Sequence, residues 1–355
     1  MTPGPLPRVR IVSPALAAAN NGNWHTASRW QGFLAEVAQV EIVGVDADER
    51  RADHDRSGDG ERHGDDSGRD AELLIALHAR RSARSIAGWR EQRGDAPAVL
   101  VLTGTDLYRD LDIDPGARHS LQCASRIVVL QEAALARLDA ASRAKAVVIV
   151  QSAPALRVAR PAGAADLVAV GHLREEKDPR TLFRAARLLA ADEAAPTIAH
   201  VGAALDPWLG DEARATMAAW PSYRWLGALS HAAARRAIAQ AQALVHMSRM
   251  EGGANAVIEA VRSGVPVLAS RIDGNVGLLG SGYEGYFPVG DADALAALIR
   301  QFRADAPFAA RLRGQCAARE PLFRPAAERR AVRTLVLGLL ATRRGPADRI
   351  GASTD

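Results

Sequence analysis

Two carboxylates in the second half of the chain, Glu251 and Glu259, stand with seven residues between them. Glu251 lies in a turn ahead of a helix-forming run and Glu259 lies within that run, so both can border one pocket. An ionised carboxylate accepts hydrogen bonds through two oxygens, which suits neighbouring hydroxyls such as the vicinal diol of a sugar or a ribose. Directly after Glu251 come Gly252, Gly253, Ala254 and Asn255. Glycines without Cβ atoms let a large anion approach the backbone closely. The N–H groups around Gly253 and Ala254, at the positive end of the following helix, would face that anion. Taken alone, such a pair is more often a solvated helix glutamate and a loop charge. The flanking sequence argues otherwise.

Ala243 to His246 is a short apolar run of the kind that forms a buried parallel strand. Ala254 to Ser263 carries Val257, Ile258 and Val261 at helical spacing, with Gly264 as the stop. Val265 to Ala269 is a second apolar run. This βαβ pattern puts the glycine turn at the carboxyl end of a strand, where open α/β sheets bind ligands. A second turn of this kind follows the apolar run Leu167 to Val170. Its Asp178 and Pro179 suit the N-cap and first position of a helix, and Lys177 would bring a full charge to a phosphate there. Two Asp-x-Asp pairs read as something other than a metal site: Asp46/Asp48 at a loop edge and Asp291/Asp293 as a helix cap.

The first half repeats the alternation. Runs at Val9–Ser13, Val40–Val45, Leu73–Leu77, Ala98–Leu102, Arg126–Leu130 and Ala146–Val150 predict about six strands of a Rossmann-like domain. Polar residues gather at their ends: the turn from Asn20 through Gly22, Asn23 and His25, then His78, Arg80 and Arg81, then Thr103, Thr105, Asp106 and Arg109. The first turn lacks GxGxxG spacing and is not a dinucleotide fingerprint. Residues 49–70 hold no apolar side chain larger than alanine, which predicts a mobile surface loop over 48–70.

With 355 residues, 48% of them hydrophobic, the chain can bury two cores. The expected domains are 1–155, 156–320 and a closing helix and tail, 321–355. That helix, Pro325 to Thr342, has Val332, Leu335, Val336, Leu339 and Leu340 on one face. A net charge of +4, with arginines dispersed among acids, favours small anionic partners over nucleic acid. Two distant cysteines, Cys123 and Cys316, suggest neither a disulfide framework nor zinc. The polar opening residues predict no signal peptide, and no apolar run nears the roughly 20 residues of a membrane span. A cytoplasmic protein is expected.

The Glu251–Glu259 segment, followed by Ser263-Gly-Val-Pro-Val-Leu-Ala-Ser270, resembles the donor-site signature of family-4-type GT-B glycosyltransferases. That resemblance implies two Rossmann-like α/β domains facing across a cleft, with the C-terminal helix packing back on the N-terminal domain. It implies that His172 and Lys177 meet a nucleotide diphosphate, His172 standing where arginine is usual. It further implies that Glu251 faces the donor sugar, Glu259 holds the ribose, and residues 252–255 complete the donor site. No cofactor is implied, the UDP-sugar being a substrate.

Asn20–Trp30, Leu77–Arg81, Thr103–Asp110 and Arg271–Gly277 together resemble the selenosugar synthases of selenoneine biosynthesis. These join selenophosphate to the sugar of UDP-N-acetylglucosamine or UDP-glucose. On that resemblance Asn20, Gly22, Asn23, His25, Arg80, Thr105 and Arg109 would hold the acceptor anion. His25 or Asp106 would assist removal of the phosphoryl group. Competing readings are a transferase for a hydroxyl or thiol acceptor, a UDP-sugar epimerase, and a non-catalytic nucleotide-sugar binder.

The composition of 49–70 generates a test of its own. Replacing residues 50–69 with a short Gly/Ser bridge should leave melting temperature and activity nearly unchanged, and a large loss in either would show that the segment folds onto the site.

Overall fold

The computed structural model describes residues 5–17, 22–48 and 71–343. Asn20 and the 49–70 part of the expected loop lie outside them. The chain divides into two units: one runs to Ile149 and resumes at Glu328, the other spans Val150–Ala327.

In the first unit six strands form a parallel sheet: β1 (Arg8–Ser13), β2 (Gln39–Gly44), β3 (Leu73–Leu77), β4 (Ala98–Val101), β5 (Arg126–Val129) and β6 (Ala146–Val148). Their order is β2-β1-β3-β4-β5-β6. The second unit holds β7 (Leu167–Val170), β8 (Ile198–Val201), β9 (Tyr223–Trp225), β10 (Ala243–His246), β11 (Val267–Ser270) and β12 (Tyr286–Phe287), also parallel. Here the order is β12-β11-β10-β7-β8-β9. Strands covered by helices on both faces must be apolar throughout, and all five residues of β3 and all four of β10 are buried.

The strand orders decide where ligands can enter. From β7 the chain steps outward through β8 and β9, then returns to place β10 on the other flank of β7. The loops leaving β7 and β10 therefore part in opposite directions and open a crevice at their carboxyl ends. In the first unit the same reversal falls between β1 and β3.

Local structure follows the side chains. The helix Asn255–Ser263 buries Val257, Ile258 and Val261. It stops at Gly264, whose φ of 74° lies in the left-handed region and whose N–H closes on the carbonyls of Ala260 and Val261. The next N–H, Val265, also returns to Ala260, so the following strand begins at Val267 and not at Val265.

The last helix, Pro325–Arg343, joins the first unit: Val332, Val336 and Leu340 pack into a core with Trp30, Phe33 and Leu34. Beyond its apolar stripe the helix carries a buried charge. Glu328 is 1% exposed and accepts hydrogen bonds from Arg29 Nε at 2.8 Å and from Trp30 Nε1 at 2.8 Å. The units divide at 149/150 and 327/328, several residues from the expected 155/156 and 320/321. The strip after β6 is bonded to the second unit, through Ala153 N–H to Phe323 O, Arg262 to Ala153 O and Arg157 to Ser263 O.

The two Asp-x-Asp pairs have ordinary roles. Asp48 is buried and accepts from Arg10 Nη1 at 3.1 Å, while Arg10 Nε meets Glu41 at 2.7 Å. Asp291 caps its helix by accepting the Ala294 N–H at 2.8 Å. Among the described residues no group of three or more His, Cys, Asp or Glu side chains could hold a metal ion. No helix among them is long and apolar enough to cross a membrane.

Glu328→Ala would strand Arg29 and the Trp30 indole N–H without their buried acceptor. Removing one partner of a buried pair should cost about 3 kcal/mol, read as a lower thermal midpoint; a midpoint within a degree of wild type would contradict this account.

Candidate functional site

The crevice of the second unit is lined by the loops that leave β7 and β10, and the two are stitched together. The Arg249 N–H donates to Glu176 O at 2.9 Å, and Arg249 Nη2 reaches Asp178 Oδ1 at 3.3 Å. Asp178 stands at the N-cap position, but its backbone is left-handed, with φ 47°. It makes no side-chain cap to a backbone N–H. Its carboxylate instead accepts from Thr181 Oγ1 at 2.7 Å.

At the centre lies Glu251, 9% exposed. One of its oxygens, Oε1, receives the Lys177 ammonium, the Ser248 hydroxyl at 2.7 Å and His246 Nε2 at 3.4 Å. Burial pushes the Glu251 carboxyl upward, but the Lys177 charge and the His246 contact more than offset this and hold it far below the carboxylate range. Ser248 is fixed in turn, its carbonyl accepting from Ser270 Oγ at 2.6 Å, and Asn275 Nδ2 donates to Ser270 O at 2.8 Å. The helix Asp273–Leu279 presses against this loop. A Cβ at Gly274 would sit 2.3 Å from the Glu251 carbonyl oxygen, so only glycine fits there.

Gly252, Gly253 and Ala254 lead into the helix Asn255–Ser263. Ala254, its N-cap, offers no side-chain acceptor, which leaves the first-turn N–H groups uncapped from that side. One turn along, Glu259 is 7% exposed and takes His231 Nε2 at 2.5 Å, with Arg235 Nε at 3.9 Å from the same oxygen. His231 opens the helix His231–Gln240, capped by Ser230. The chain thus brings together Lys177 and Glu251, 74 residues apart in sequence.

His172 differs from the expectation of a basic pair. Its Nδ1 accepts the Ala203 N–H at 3.1 Å. Burial, with Arg174 and Lys177 close by, pushes its pKa down, so near neutrality it is an uncharged ring with an Nε2–H to donate.

At the carboxyl edge of the first unit's sheet, the turns after β1, β3 and β4 carry the other expected residues. Gly22, Asn23 and His25 form the start of the helix Gly22–Leu34, where Gly22 O accepts from Thr26 Oγ1 at 2.8 Å. Asp106 is corrected from a possible acid or base to a structural group. It is fully buried, and its two oxygens accept the N–H groups of Ala79, Thr103 and Gly104 at 2.8–2.9 Å. Thr105 Oγ1 meets His78 Nε2 at 3.1 Å. Arg80 and Arg109, 43% and 41% exposed, both bond Asp110, which is 1% exposed. Asp110, His246, Ser248 and His231 are the residues that sequence reasoning passed over, although Asp110 closes the Thr103–Asp110 stretch and His246 closes the apolar run from Ala243.

The depressed Glu251 value has a definite sign. Its pairing stabilises the fold fully above its ordinary value of about 4.5 and is lost as pH falls through the lower, folded value. The stability gap between wild type and Glu251→Gln, measured by denaturant unfolding, should therefore narrow between pH 5 and pH 3. A gap that ignores pH would refute the pairing.

Residues 157–318, which include Lys177, Glu251 and Glu259, match the family model described as Glycosyl transferases group 1. No curated protein matches the sequence as a relative. Among solved structures, HepE of Anabaena in complex with UDP and glucose is 14% identical, with a TM-score of 0.72 over 93% of this chain and 99% of its own. Sucrose-phosphate synthase from Thermosynechococcus elongatus is 16% identical, with a TM-score of 0.75 over 95% and 100%. A glycosyltransferase from Rickettsia africae is 13% identical, with a TM-score of 0.69 over 94% and 99%. The second unit thus carries a glycosyltransferase group 1 segment, and the two parallel six-stranded α/β units have the GT-B fold.

Proposed function

We propose that the protein transfers the sugar of a UDP-sugar, UDP-N-acetylglucosamine or UDP-glucose, to the selenium of selenophosphate, with release of UDP and then phosphate. The observation that carries the donor half is the Lys177–Glu251 pair at the strand-order reversal, beside a helix start without a side-chain cap. HepE, whose structures hold UDP and UDP-glucose, shares the fold and supports this donor class.

On this reading Lys177 and the first-turn N–H groups of the helix Asn255–Ser263 stabilise the diphosphate as the anomeric C–O bond breaks and its electron pair passes to the leaving oxygen. His172, uncharged, adds a hydrogen bond rather than a charge. Glu251 meets sugar hydroxyls through the oxygen not given to Lys177. Glu259 meets the ribose, sharing or exchanging its bond to His231.

The acceptor half rests on the resemblance of the N-terminal turns to selenosugar synthases. Selenium in selenophosphate is soft and already anionic, so its attack needs less of a general base than a sugar hydroxyl would. Asp106 cannot supply such a base because its oxygens are committed to three backbone N–H groups. Water then removes the phosphoryl group from the C–Se product, and His25 remains the candidate to assist.

Mass-spectrometric analysis of reactions with selenophosphate and a panel of UDP-sugars tests the whole reading. It expects free UDP and a 1-selenosugar. Efficient transfer to a simple alcohol while selenophosphate stays inert would overturn it. Within the donor site, Glu259→Ala should weaken UDP binding by about 1.5–3 kcal/mol, and Glu251→Ala should depress turnover more than UDP affinity.

A further inference from the structure

One oxygen of Glu259 meets two side chains from the helix His231–Gln240. His231 and Arg235 stand one turn apart on that helix and so share a face. His231 Nε2 lies 2.5 Å from Glu259 Oε1, and Arg235 Nε lies 3.9 Å from the same atom. The first contact is a hydrogen bond; the second is too long to be one. Arg235 Nε is nevertheless buried and has no hydrogen-bond partner among the described residues. A donor left bare in the interior is costly, and native proteins seldom keep one without a use.

The tip of Arg235 is fixed. Its side chain is 17% exposed, and Nη2 donates to Pro154 O at 2.6 Å, on the strip after β6 that is bonded to this unit. Among the described residues Glu259 is the one carboxylate within 4 Å of Arg235. The nearby cation Arg262 has an acid of its own, Glu320, and donates to Ala153 O at 2.8 Å. Arg235 is thus anchored at its outer end, while its inner N–H stands just short of the one acid it could serve.

We propose that Arg235 is a positioning residue for recognition of the nucleotide's ribose. As the ribose hydroxyls come to Glu259 beside or in place of His231, the carboxylate turns toward Arg235 and the Nε–H closes on it. The proposal rests on the reading that Glu259 meets the ribose, and it adds what holds Glu259 in that state. A guanidinium already pinned at Nη2 gives up little freedom in making the bond, and the bond is charge-assisted. The carboxylate keeps its negative charge and a fixed orientation, which is what a pair of hydroxyl donors requires.

Calorimetric titration of the full chain with UDP, and with its dideoxy analogue whose sugar ring lacks the diol, tests this. Wild type should prefer UDP. Arg235→Gln should weaken UDP binding about tenfold, the loss of one charge-assisted contact, and leave the affinity for the analogue unchanged, so that the preference narrows. A merely structural arginine would weaken both nucleotides alike. An unchanged preference in folded Arg235→Gln, whether both nucleotides weaken equally or neither does, would overturn the proposal. Should Arg235→Gln fail to fold, Arg235→Met, which keeps the bulk of the stem, decides on the same ratio. Glu259→Gln measured alongside separates two kinds of failure. If it too leaves the preference unchanged, Glu259 does not meet the ribose, and that reading falls together with the proposal. If it narrows the preference and Arg235→Gln does not, the proposal alone falls.

Discussion

A carboxylate buried as deeply as that of Glu251 persists as an anion only if charge and hydrogen bonds are brought to it. Meeting that demand organises the second unit. Lys177 must come from the loop after β7, Ser248 and His246 from β10 and its loop, and Gly274 must lack a side chain so that the next helix can close against them. These elements become neighbours only because the strand order reverses between β7 and β10. The electrostatic requirement and the topology are therefore two descriptions of one arrangement, and the uncapped start of the helix Asn255–Ser263 lies at its rim.

The first unit solves a related problem. Its buried acids, Asp106 and Asp110, are spent on backbone N–H groups and arginine Nε atoms. In the second unit Oε1 of Glu251 is spent on Lys177, Ser248 and His246. The two halves of a transfer reaction ask for different things: a donor site that engages both hydroxyls and diphosphate, and an acceptor site matched to the charge of its nucleophile. The proposed reaction assigns one to each unit.

Much of this was legible in the sequence, for reasons of range. Helix and strand patterns repeat over a few residues, so the six strands of the first unit, the strands β7, β10 and β11, the stop at Gly264 and the cap at Asp291 could be read directly. The glycine turn after β10 was legible for the same reason. Pairings across long separations were not. Nothing near Glu259 announces His231, and nothing near Glu328 announces Arg29, 299 residues away. Asp106 misled because an acid at a strand end looks the same whether it meets a substrate or its own backbone; only burial distinguishes the two. The domain boundary near 155 shifted because the strip after β6 is tied to the second unit through the carbonyls of Ala153 and Pro154, contacts that the local sequence does not announce.

The return of the helix Pro325–Arg343 to the first unit has a consequence for how the chain is made. The second unit is one uninterrupted stretch, but the first is assembled from both ends of the sequence. As the polypeptide emerges, Trp30, Arg29 and the apolar face around Phe33 appear before any of the second unit, and their partners Glu328, Val332 and Val336 appear only after all of it. The unit that begins synthesis first is thus completed second, after the unit encoded inside it has had all its residues available. Until then an indole and a guanidinium wait without their acceptor, and a chain truncated just before Glu328 would keep every strand of both sheets yet lack the closure of the first.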